Sequence, residues 1–322
     1  MSGTHVVALA GGIGAARFLR GLVRAVDPAG LVVVGNTGDD LVLHGLHVSP
    51  DLDTVCYTLG GGVHPDQGWG RADETLVVSG ELRDRYGRPD WFTLGDRDLA
   101  THIVRSEVLA GGGTLSHATA EIARAWELPC RLLPMTDDPV ATRIVTDDGR
   151  DLHFQQWWVG EGARSGVVDV RLEGAERARA APGVLEAIGS ADAVVLCPSN
   201  PVVSIGPILE IPGVREALSS APVVGVSPIV GGAVVRGMAD RLLPAVGREV
   251  SAAAVAEAYA DVLDAWVLDD ADAGLADRVA ALSVAVTTTD TIMRDVDTTT
   301  RLAATALELL ADTDTDAARA RR

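Results

Sequence analysis

Short apolar segments rich in β-branched residues recur along this chain of 322 residues, and a turn and a helical pattern follow each of them. The segments are His5–Ala10, Leu31–Gly35, Ala193–Cys197, Val223–Val226, Ala265–Leu268 and Ser283–Thr287. Runs this short and this apolar are typical of a parallel sheet whose two faces are both covered by helices. The pattern predicts an α/β fold, namely a Rossmann-like, doubly wound and mainly parallel sheet.

One stretch of the chain has a different pattern and predicts a small β-rich insertion. Its predicted strands are Arg143–Thr146, Leu152–Val159 and Val167–Leu172, joined by Asp-Gly and Gly-rich turns. On this interpretation Gln155 and Gln156 lie on an alternating strand. The predicted organisation is a core at 1–134 and 173–311, a β-rich insertion or cap at 135–172 and a flexible tail at 312–322.

Composition excludes several classes of function. All 27 basic residues are arginines, which excludes a Schiff-base lysine and a lysine-containing phosphate loop. The net charge of −18 argues against nucleic acid as a partner, because affinity for a duplex depends on clustered basic residues. Arginine still binds phosphate through paired hydrogen bonds, so a small anionic ligand is compatible with this composition.

We expect a cytoplasmic protein that does not associate with a membrane. No basic segment precedes the first apolar run, as a signal peptide requires. Ala217–Val235 is uncharged, but prolines and glycines interrupt it. Cys56, Cys130 and Cys197 are too far apart for a zinc site or a disulfide framework, so a reducing compartment is expected.

A glycine-rich turn joins the first predicted strand to the first predicted helix. It contains Gly11, Gly12 and Gly14, and Arg17 follows one turn later. Such glycines let the backbone approach a phosphate, the helix N-terminus presents free N–H groups, and an arginine adds positive charge. The alternative is a tight strand-to-helix turn without a ligand, since any fold of this class needs one.

Four acidic residues follow the second predicted strand within fifteen residues. They are Asp39, Asp40, Asp51 and Asp53. Clustered carboxylates repel one another unless a cation, a helix dipole or hydrogen bonds offset the charge, and Mg²⁺ is the simplest such cation. The alternative is that Asp51 caps a helix starting at Pro50, while Asp39 and Asp40 lie in a solvated turn.

Two later loops also follow predicted strands and are expected at the same edge of the sheet. Ser199 and Asn200 lie in one, and Ser227 and Pro228 lie in the other. Because ligands bind at the carboxyl edge of open α/β sheets, these loops are expected to offer amides and hydroxyls to a nucleotide.

An aromatic residue near an arginine suggests a wall for a planar heterocycle. Trp69 and Arg71 lie in a glycine-rich segment. The alternative for Trp69 is a core tryptophan. His102, in a predicted helix, has the chemistry of a general base, but a histidine by itself favours the alternative of a polar core residue.

Six blocks of the sequence, taken in order, resemble the 2-phospho-L-lactate transferase family, in its actinobacterial phosphoenolpyruvate transferase type. They are GGIGAARFLRGL, NTGDD with GLHVSPDLDT, GWGRADET, WFTLGDRDLATH, CPSNPVVSIGPIL and SPIVGG, between Ala8 and about Met293. The resemblance implies an enzyme of coenzyme F-420 biosynthesis. Such an enzyme transfers a phosphoenolpyruvyl or 2-phospholactyl group from a guanosine-diphosphate-activated donor to the deazaflavin Fo, releases GMP and depends on magnesium. It also implies a homodimer.

The resemblance assigns roles to particular residues. Asp39 and Asp51 match the family's metal-binding, catalytic carboxylates, with Asp40 and Asp53 beside them. The glycines Gly11, Gly12 and Gly14 match the loop near the donor phosphates, and Arg17 stands where relatives often have lysine. Asp39, Trp69 and Arg71 are assigned to the deazaflavin.

Two other functions remain open. One is a nucleotide-sugar-binding regulatory protein of a neighbouring family with a similar fold, which lacks the NTGDD and SPDLDT pair in this form. The other is a dinucleotide oxidoreductase, which is less favoured because Asn36 stands where an acidic ribose-binding residue is usual. The sequence identifies no general base for a transfer reaction.

Overall fold

The computed structural model describes residues 4–314. The strands are β1 (Val6–Ala10), β2 (Leu31–Gly35), β3 (Leu41–Leu43), β4 (Leu46–Val48), β5 (Arg131–Pro134), β6 (Ala141–Thr146), β7 (Asp151–His153), β8 (Val167–Glu173), β9 (Ala193–Leu196), β10 (Val223–Val226), β11 (Ile229–Val230), β12 (Ala233–Val234), β13 (Ala265–Asp269) and β14 (Ala285–Thr289). The helices are α1 (Gly12–Ala25), α2 (Pro50–Leu59), α3 (Val77–Tyr86), α4 (Asp98–Ala110), α5 (Leu115–Ala125), α6 (Val184–Gly189), α7 (Gly206–Leu209), α8 (Val214–Leu218), α9 (Ala239–Ala245), α10 (Ala252–Ala258), α11 (Ala276–Ala280) and α12 (Val296–Asp314). Short 3-10 or π turns cover Pro28–Gly30, Gln156–Gly160, Ala175–Arg177, Pro201–Ile205 and Asp270–Leu275.

The central sheet has seven parallel strands in the order β14-β13-β10-β9-β1-β2-β5. From β1 the chain moves outward to β2 and β5, then returns to β9 on the other side of β1 and continues to β14. The direction therefore reverses between β1 and β9, which is where open α/β sheets form a ligand crevice. The predicted Rossmann-like, doubly wound sheet is confirmed, although the sequence pattern missed the short edge strand β5.

Alternation along β1 divides the core into two layers. Val7 and Leu9 face one hydrophobic cluster, while Val6, Ala8 and Ala10 face another on the opposite side of the sheet. Successive side chains of a strand point to opposite faces, so a strand that is apolar throughout must be covered on both.

The helices α1 and α12 pack closely against each other on one of these faces. A Cβ added at Gly21 would lie 2.4 Å from the backbone carbon of Thr299, closer than real Cβ atoms come to other atoms. Gly21 therefore lets the two helix backbones approach at this crossing.

The segment predicted as an insertion contains a small antiparallel sheet in the order β7-β6-β8. The predicted strand Leu152–Val159 is wrong beyond His153, because the chain turns into a helical segment from Phe154 that continues as the π turn at Gln156–Gly160. Phe154 and Trp157 pack into a separate hydrophobic cluster, and this burial outweighs the strand propensity of the sequence.

At the end of the described chain, α12 continues to Asp314, three residues into the segment predicted as a tail. The remainder of that prediction, 315–322, lies outside the described residues. Within residues 4–314, no helix is both long enough and apolar enough to span a membrane.

Candidate active site

A cavity of about 540 Å³ opens at the carboxyl edge of the sheet, beside the reversal between β1 and β9. Most of the predicted site residues line it: Gly11, Gly12, Gly14, Arg17, Asp39, Asp51, Asp53, Trp69, Ser199, Asn200, Ser227 and Pro228. Asp40 and Arg71 do not. The structure thus brings together residues that are far apart in sequence because the strands that carry them end at the same edge.

The glycine turn is held tightly against the loop after β9. The Ser199 hydroxyl donates to the Gly11 carbonyl over 2.6 Å, and a Cβ at Gly14 would lie 2.3 Å from the Pro198 carbonyl oxygen. Gly12 has a φ of +68°, which disfavours residues with a side chain. The first amide of α1, that of Gly12, donates to the Asp51 carboxylate. The glycines therefore serve packing as well as any ligand.

Asp39 and Asp51 are both buried and face the same cavity. Asn36 Nδ2 donates to Asp51 Oδ2 over 2.8 Å and to the Val203 carbonyl over 3.1 Å. Gln155 Nε2 donates to Asp39 Oδ2 over 3.3 Å, whereas the other oxygen, Oδ1, is buried without a hydrogen-bond partner. One carboxylate oxygen of this pair is therefore left to interact with a ligand.

Burial and like charge oppose ionisation of this carboxylate pair. Burial raises the pKa of Asp39 well above its usual value, and the charges of Asp51 and Asp40 raise it further. Burial also raises the pKa of Asp51 to about 6, although hydrogen bonds from Asn36 and the Gly12 amide lower it. A cation beside the two groups would relieve the repulsion and the cost of burial.

The residues fit a metal ion that is shared with a substrate. Among residues 4–314, no group of three or more His, Cys, Asp and Glu side chains is arranged to hold a metal. Mg²⁺ usually needs only one or two carboxylates, with waters and substrate phosphates completing its shell. The unpartnered oxygen of Asp39 and the nearby Asp51 match that donor set.

The other two predicted metal ligands bind other side chains. Asp40 Oδ2 accepts from the Ser49 hydroxyl over 2.6 Å and lies 2.9 Å from His47 Nε2. Asp53 lines the cavity, but both of its oxygens accept from the buried Arg105 guanidinium. Asp40 Oδ1 is also buried without a hydrogen-bond partner, but Asp40 does not line the cavity. Asp39 and Asp51 are therefore the better-placed candidate metal ligands, and the roles of Asp40 and Asp53 stay predictions.

Two arginines supply positive charge to the cavity. Arg17 and Arg236 both line it, and no ion pair is found for either within the described part of the chain. Burial lowers the pKa of Arg236, and the charge of Arg17 lowers it further, so the two guanidiniums lie near each other. Two unpaired cations in a chain of net charge −18 are suited to an anionic ligand.

The two residues assigned to the heterocycle have different surroundings. Trp69 lines the cavity and is 46% exposed. The Arg71 guanidinium lies over the Trp126 ring at 4.7 Å and donates to the Arg97 carbonyl over 3.1 Å. The Arg71 guanidinium also lies 5.8 Å from the centre of the Tyr57 ring, which lines the cavity, so Arg71 is behind the wall rather than part of the lining.

A model of the family described as 2-phospho-L-lactate transferase CofD matches residues 6–307 of the chain. The chain belongs to this family. The resemblance found in the sequence is confirmed, and this CofD-family protein is an enzyme, a phospho-group transferase.

Curated relatives match this CofD-family transferase over nearly its whole length. A protein named phosphoenolpyruvate transferase from Streptomyces griseus is 53% identical over 311 residues, covering 95% of this chain and 98% of the relative. Proteins of the same name from Thermobifida fusca and Mycolicibacterium smegmatis are 53% and 44% identical, over 95% and 88% of this chain and 97% and 94% of theirs.

A solved structure shares the fold of the transferase. It is a member of the UPF0052 family from Bacillus halodurans, with a TM-score of 0.65 and 15% identity, covering 95% of this chain and 99% of that one. At this identity the likeness concerns the fold alone.

Several residues of the candidate site are not predicted from the sequence. The sequence pattern predicts a strand at Gln155 and no contact for the Asn36 side chain, whereas both side chains donate hydrogen bonds to the carboxylate pair. Arg236 and Asp98 also line the cavity. In the sequence, Asn36 directly follows a predicted strand, Arg236 follows the SPIVGG block and Asp98 lies in the WFTLGDRDLATH block, whereas nothing points to Gln155.

Proposed function

We propose that this enzyme transfers a phosphoenolpyruvyl group from a guanosine-diphosphate-activated donor to a hydroxyl of the deazaflavin Fo and releases GMP, in coenzyme F-420 biosynthesis. The observation that carries the proposal is the Asp39 and Asp51 pair, buried and open to one cavity with Arg17 and Arg236. This combination supports binding of a diphosphate together with a divalent cation. We also propose that the protein is located in the cytoplasm and forms a homodimer, on the family resemblance alone.

The name of the relatives supports the enolpyruvyl donor over the lactyl donor. Relatives that are 53% identical across nearly the whole chain carry the name phosphoenolpyruvate transferase. The 2-phospholactyl group remains the alternative, since it differs only in the saturation of the three-carbon acid.

In the proposed reaction, the acceptor oxygen forms a bond to the phosphorus that carries the three-carbon acid. The bond from that phosphorus to the bridging oxygen breaks, GMP leaves with the electron pair, and the hydroxyl proton is released. No covalent enzyme intermediate is needed, because such transfers depend on positioning and on stabilisation of charge. This agrees with a chain that has no lysine.

Different residues of this chain bind the donor and position the carboxylates. Arg17 and Arg236 attract and orient the anionic donor, and the Ser199 and Asn200 loop holds the glycine turn beside it. Asn36 and Gln155 hold the carboxylates of Asp51 and Asp39 in place through direct hydrogen bonds. When bound by Asp39 and Asp51, Mg²⁺ would neutralise charge on the phosphates.

A mass-spectrometric assay tests the proposal. Purified protein is incubated with Fo and magnesium and, in separate reactions, with the enolpyruvyl or the lactyl guanosine donor. We expect GMP and a product heavier than Fo by one phosphoenolpyruvyl group from the first donor. Product from the lactyl donor alone would reassign the donor. No product from either, by folded protein that binds a guanine nucleotide, would favour the nucleotide-binding regulatory protein instead.

A further inference from the structure

A buried cluster of polar side chains forms part of the cavity wall between α2 and α4. Its members are Asp53 and Tyr57 on α2 and Asp98, His102 and Arg105 on α4. His102 and Arg105 are each 1% exposed. Asp53, Tyr57, Asp98 and His102 all line the cavity. The reaction described above does not use this cluster.

The hydrogen bonds of the cluster determine which atoms donate. Arg105 NH1 donates to Asp53 Oδ2 over 3.1 Å and lies 3.3 Å from His102 Nδ1. Because a guanidinium only donates, Nδ1 must accept, and the imidazole proton lies on Nε2. That Nε2 is 3.2 Å from Asp98 Oδ2, a close contact that does not have the geometry of a hydrogen bond. His102 therefore lies against the Asp98 carboxylate and favours its ionised form.

Asp98 accepts a hydrogen bond on one oxygen, has the His102 ring against the other, and still has capacity to accept more. The Tyr57 hydroxyl donates to Asp98 Oδ1 over 2.5 Å, opposite the contact with His102. A carboxylate accepts about four hydrogen bonds, and the Asp98 side chain remains 17% exposed at the cavity wall. Burial raises the pKa of Asp98, but the neighbouring His102 ring, the Tyr57 hydroxyl and the Arg105 guanidinium together bring it below its usual value. Asp98 is thus an oriented, ionised acceptor facing the cavity.

The charge of Asp98 selects the kind of ligand. A diphosphate or a carboxylate of the donor would be repelled by it, whereas hydroxyl and ring N–H groups would be attracted. Tyr57 lies six residues beyond Asp51 on α2, about 9 Å along the helix axis, so Asp98 is set apart from the carboxylate pair. The segment before α4 also contributes Trp91 and Phe92 to the cavity, which suits a planar ring.

We propose that Asp98 binds a hydrogen-bond donor of the acceptor substrate, either a hydroxyl or a ring N–H group, and that His102 and Tyr57 position its carboxylate. The inference rests on the proposed function, because it assigns a residue to the acceptor. Asp98 is the binding residue, and His102 and Tyr57 are positioning residues that act through it.

The experiment measures Fo binding by calorimetry and steady-state KM values for Fo and for the donor. The variants are Asp98→Asn, Tyr57→Phe and His102→Gln, with Glu107→Gln as the control. Glu107 is on the exposed face of the same helix, so the control removes one negative charge without touching the cavity. Melting temperatures are measured for every variant.

We expect Asp98→Asn to weaken Fo binding by about 10- to 100-fold, the range for a hydrogen bond to a charged group. The KM for the donor should not change. Tyr57→Phe and His102→Gln should raise the KM for Fo by a smaller factor, with the donor KM again unchanged. An Fo analogue with a methyl group in place of the ribityl chain identifies the donor group. Retained sensitivity to Asp98→Asn indicates a hydrogen-bond donor on the ring, and lost sensitivity indicates a ribityl hydroxyl.

Two results would overturn the inference. One is wild-type Fo affinity in Asp98→Asn and Tyr57→Phe, and the other is an equal rise in the KM values for Fo and donor. If Asp98→Asn does not fold, Tyr57→Phe decides by itself, since it removes only one hydroxyl. Failure of the proposed function is a different result, because the wild-type protein would then not bind Fo at all.

Discussion

Asp39 illustrates how one residue combines a functional role with a cost in stability. It is buried, it lies near two other carboxylates, and one of its oxygens has no protein partner. Buried like charges destabilise a fold, so a protein retains such a group when a ligand stabilises it.

Asp39→Asn is expected to separate these two effects. Loss of the charge should lower kcat/KM by about 100-fold at limiting magnesium, the size found when one charge-stabilising group is removed from an active site. The melting temperature without divalent cations should stay the same or rise, because repulsion with Asp51 and Asp40 is removed. Steady-state kinetics and calorimetry test both, with the exposed Asp277→Asn as the control. Wild-type turnover in the folded variant would remove Asp39 from the metal site.

A separate prediction concerns the contribution of Arg17 and Arg236 to donor binding. Each of Arg17→Gln and Arg236→Gln should raise the donor KM by about 10- to 100-fold, the value of one charge-assisted contact to phosphate. The KM for Fo should not change. Arg20→Gln is the matched control, because Arg20 is exposed on the same helix and does not line the cavity. An unchanged donor KM in Arg236→Gln would exclude that residue from donor binding.

Among the secondary-structure elements, the packing of α1 determines where the glycine turn lies. The turn forms the N-terminus of α1, and Gly21 near its other end lies against the backbone of α12. A shift of the helix would therefore move Gly12 and Gly14 relative to Asp51 and Pro198. Close packing transmits such shifts, because interiors have few voids to absorb them.

Two glycine substitutions should change stability in opposite directions. Gly21→Ala should lower the free energy of unfolding by about 1–3 kcal/mol, since the added methyl overlaps the α12 backbone. Gly80→Ala should raise it by about 0.5–1 kcal/mol, because Gly80 lies inside α3 and a Cβ there would have no atom within 4 Å. Urea unfolding measures both. Equal stability of Gly21→Ala and the wild type would contradict the close crossing of α1 and α12.

At the scale of the whole molecule, the site joins parts of the fold that the chain builds separately. The cavity takes residues from the turn after β1, the loops after β9 and β10, α2, α4 and the segment around Gln155. A ligand that contacts all of them stabilises the folded state and not the unfolded one. Ligand binding should therefore be visible as an increase in global stability.

Thermal unfolding tests the metal proposal at this scale. GDP with magnesium should raise the melting temperature, and a free concentration of 100 Kd corresponds to about 2.7 kcal/mol. A chelator should remove most of the increase, and Asp39→Asn should reduce it in the same way. An increase due to GDP that is the same with and without the chelator would argue against a shared metal ion.

Local sequence pattern is sufficient for the class of the sheet and for six of its seven strands, with the edge strand β5 as the exception. Apolar runs such as Val6–Ala10 and Leu31–Gly35 are too short and too apolar for anything but buried strands, so their local pattern was sufficient. The glycine turn and Asp39 follow such strands closely, and for that reason their place at the carboxyl edge was also predictable. Asp51 comes later, after the β3-β4 hairpin, which the sequence pattern did not predict.

The contacts that support those residues depend on long-range packing. The hydrogen bond from Gln155 to Asp39 joins residues 116 positions apart in sequence, and the buried ion pair of Asp53 with Arg105 joins residues 52 positions apart. Local periodicity contains no information about such contacts, which depend on how separate elements pack. It also assigned a strand to the residues around Phe154, where burial of the aromatic rings favoured a helical turn. The backbone pattern determines which residues reach the edge of the sheet, and long-range packing determines what each of them can bind.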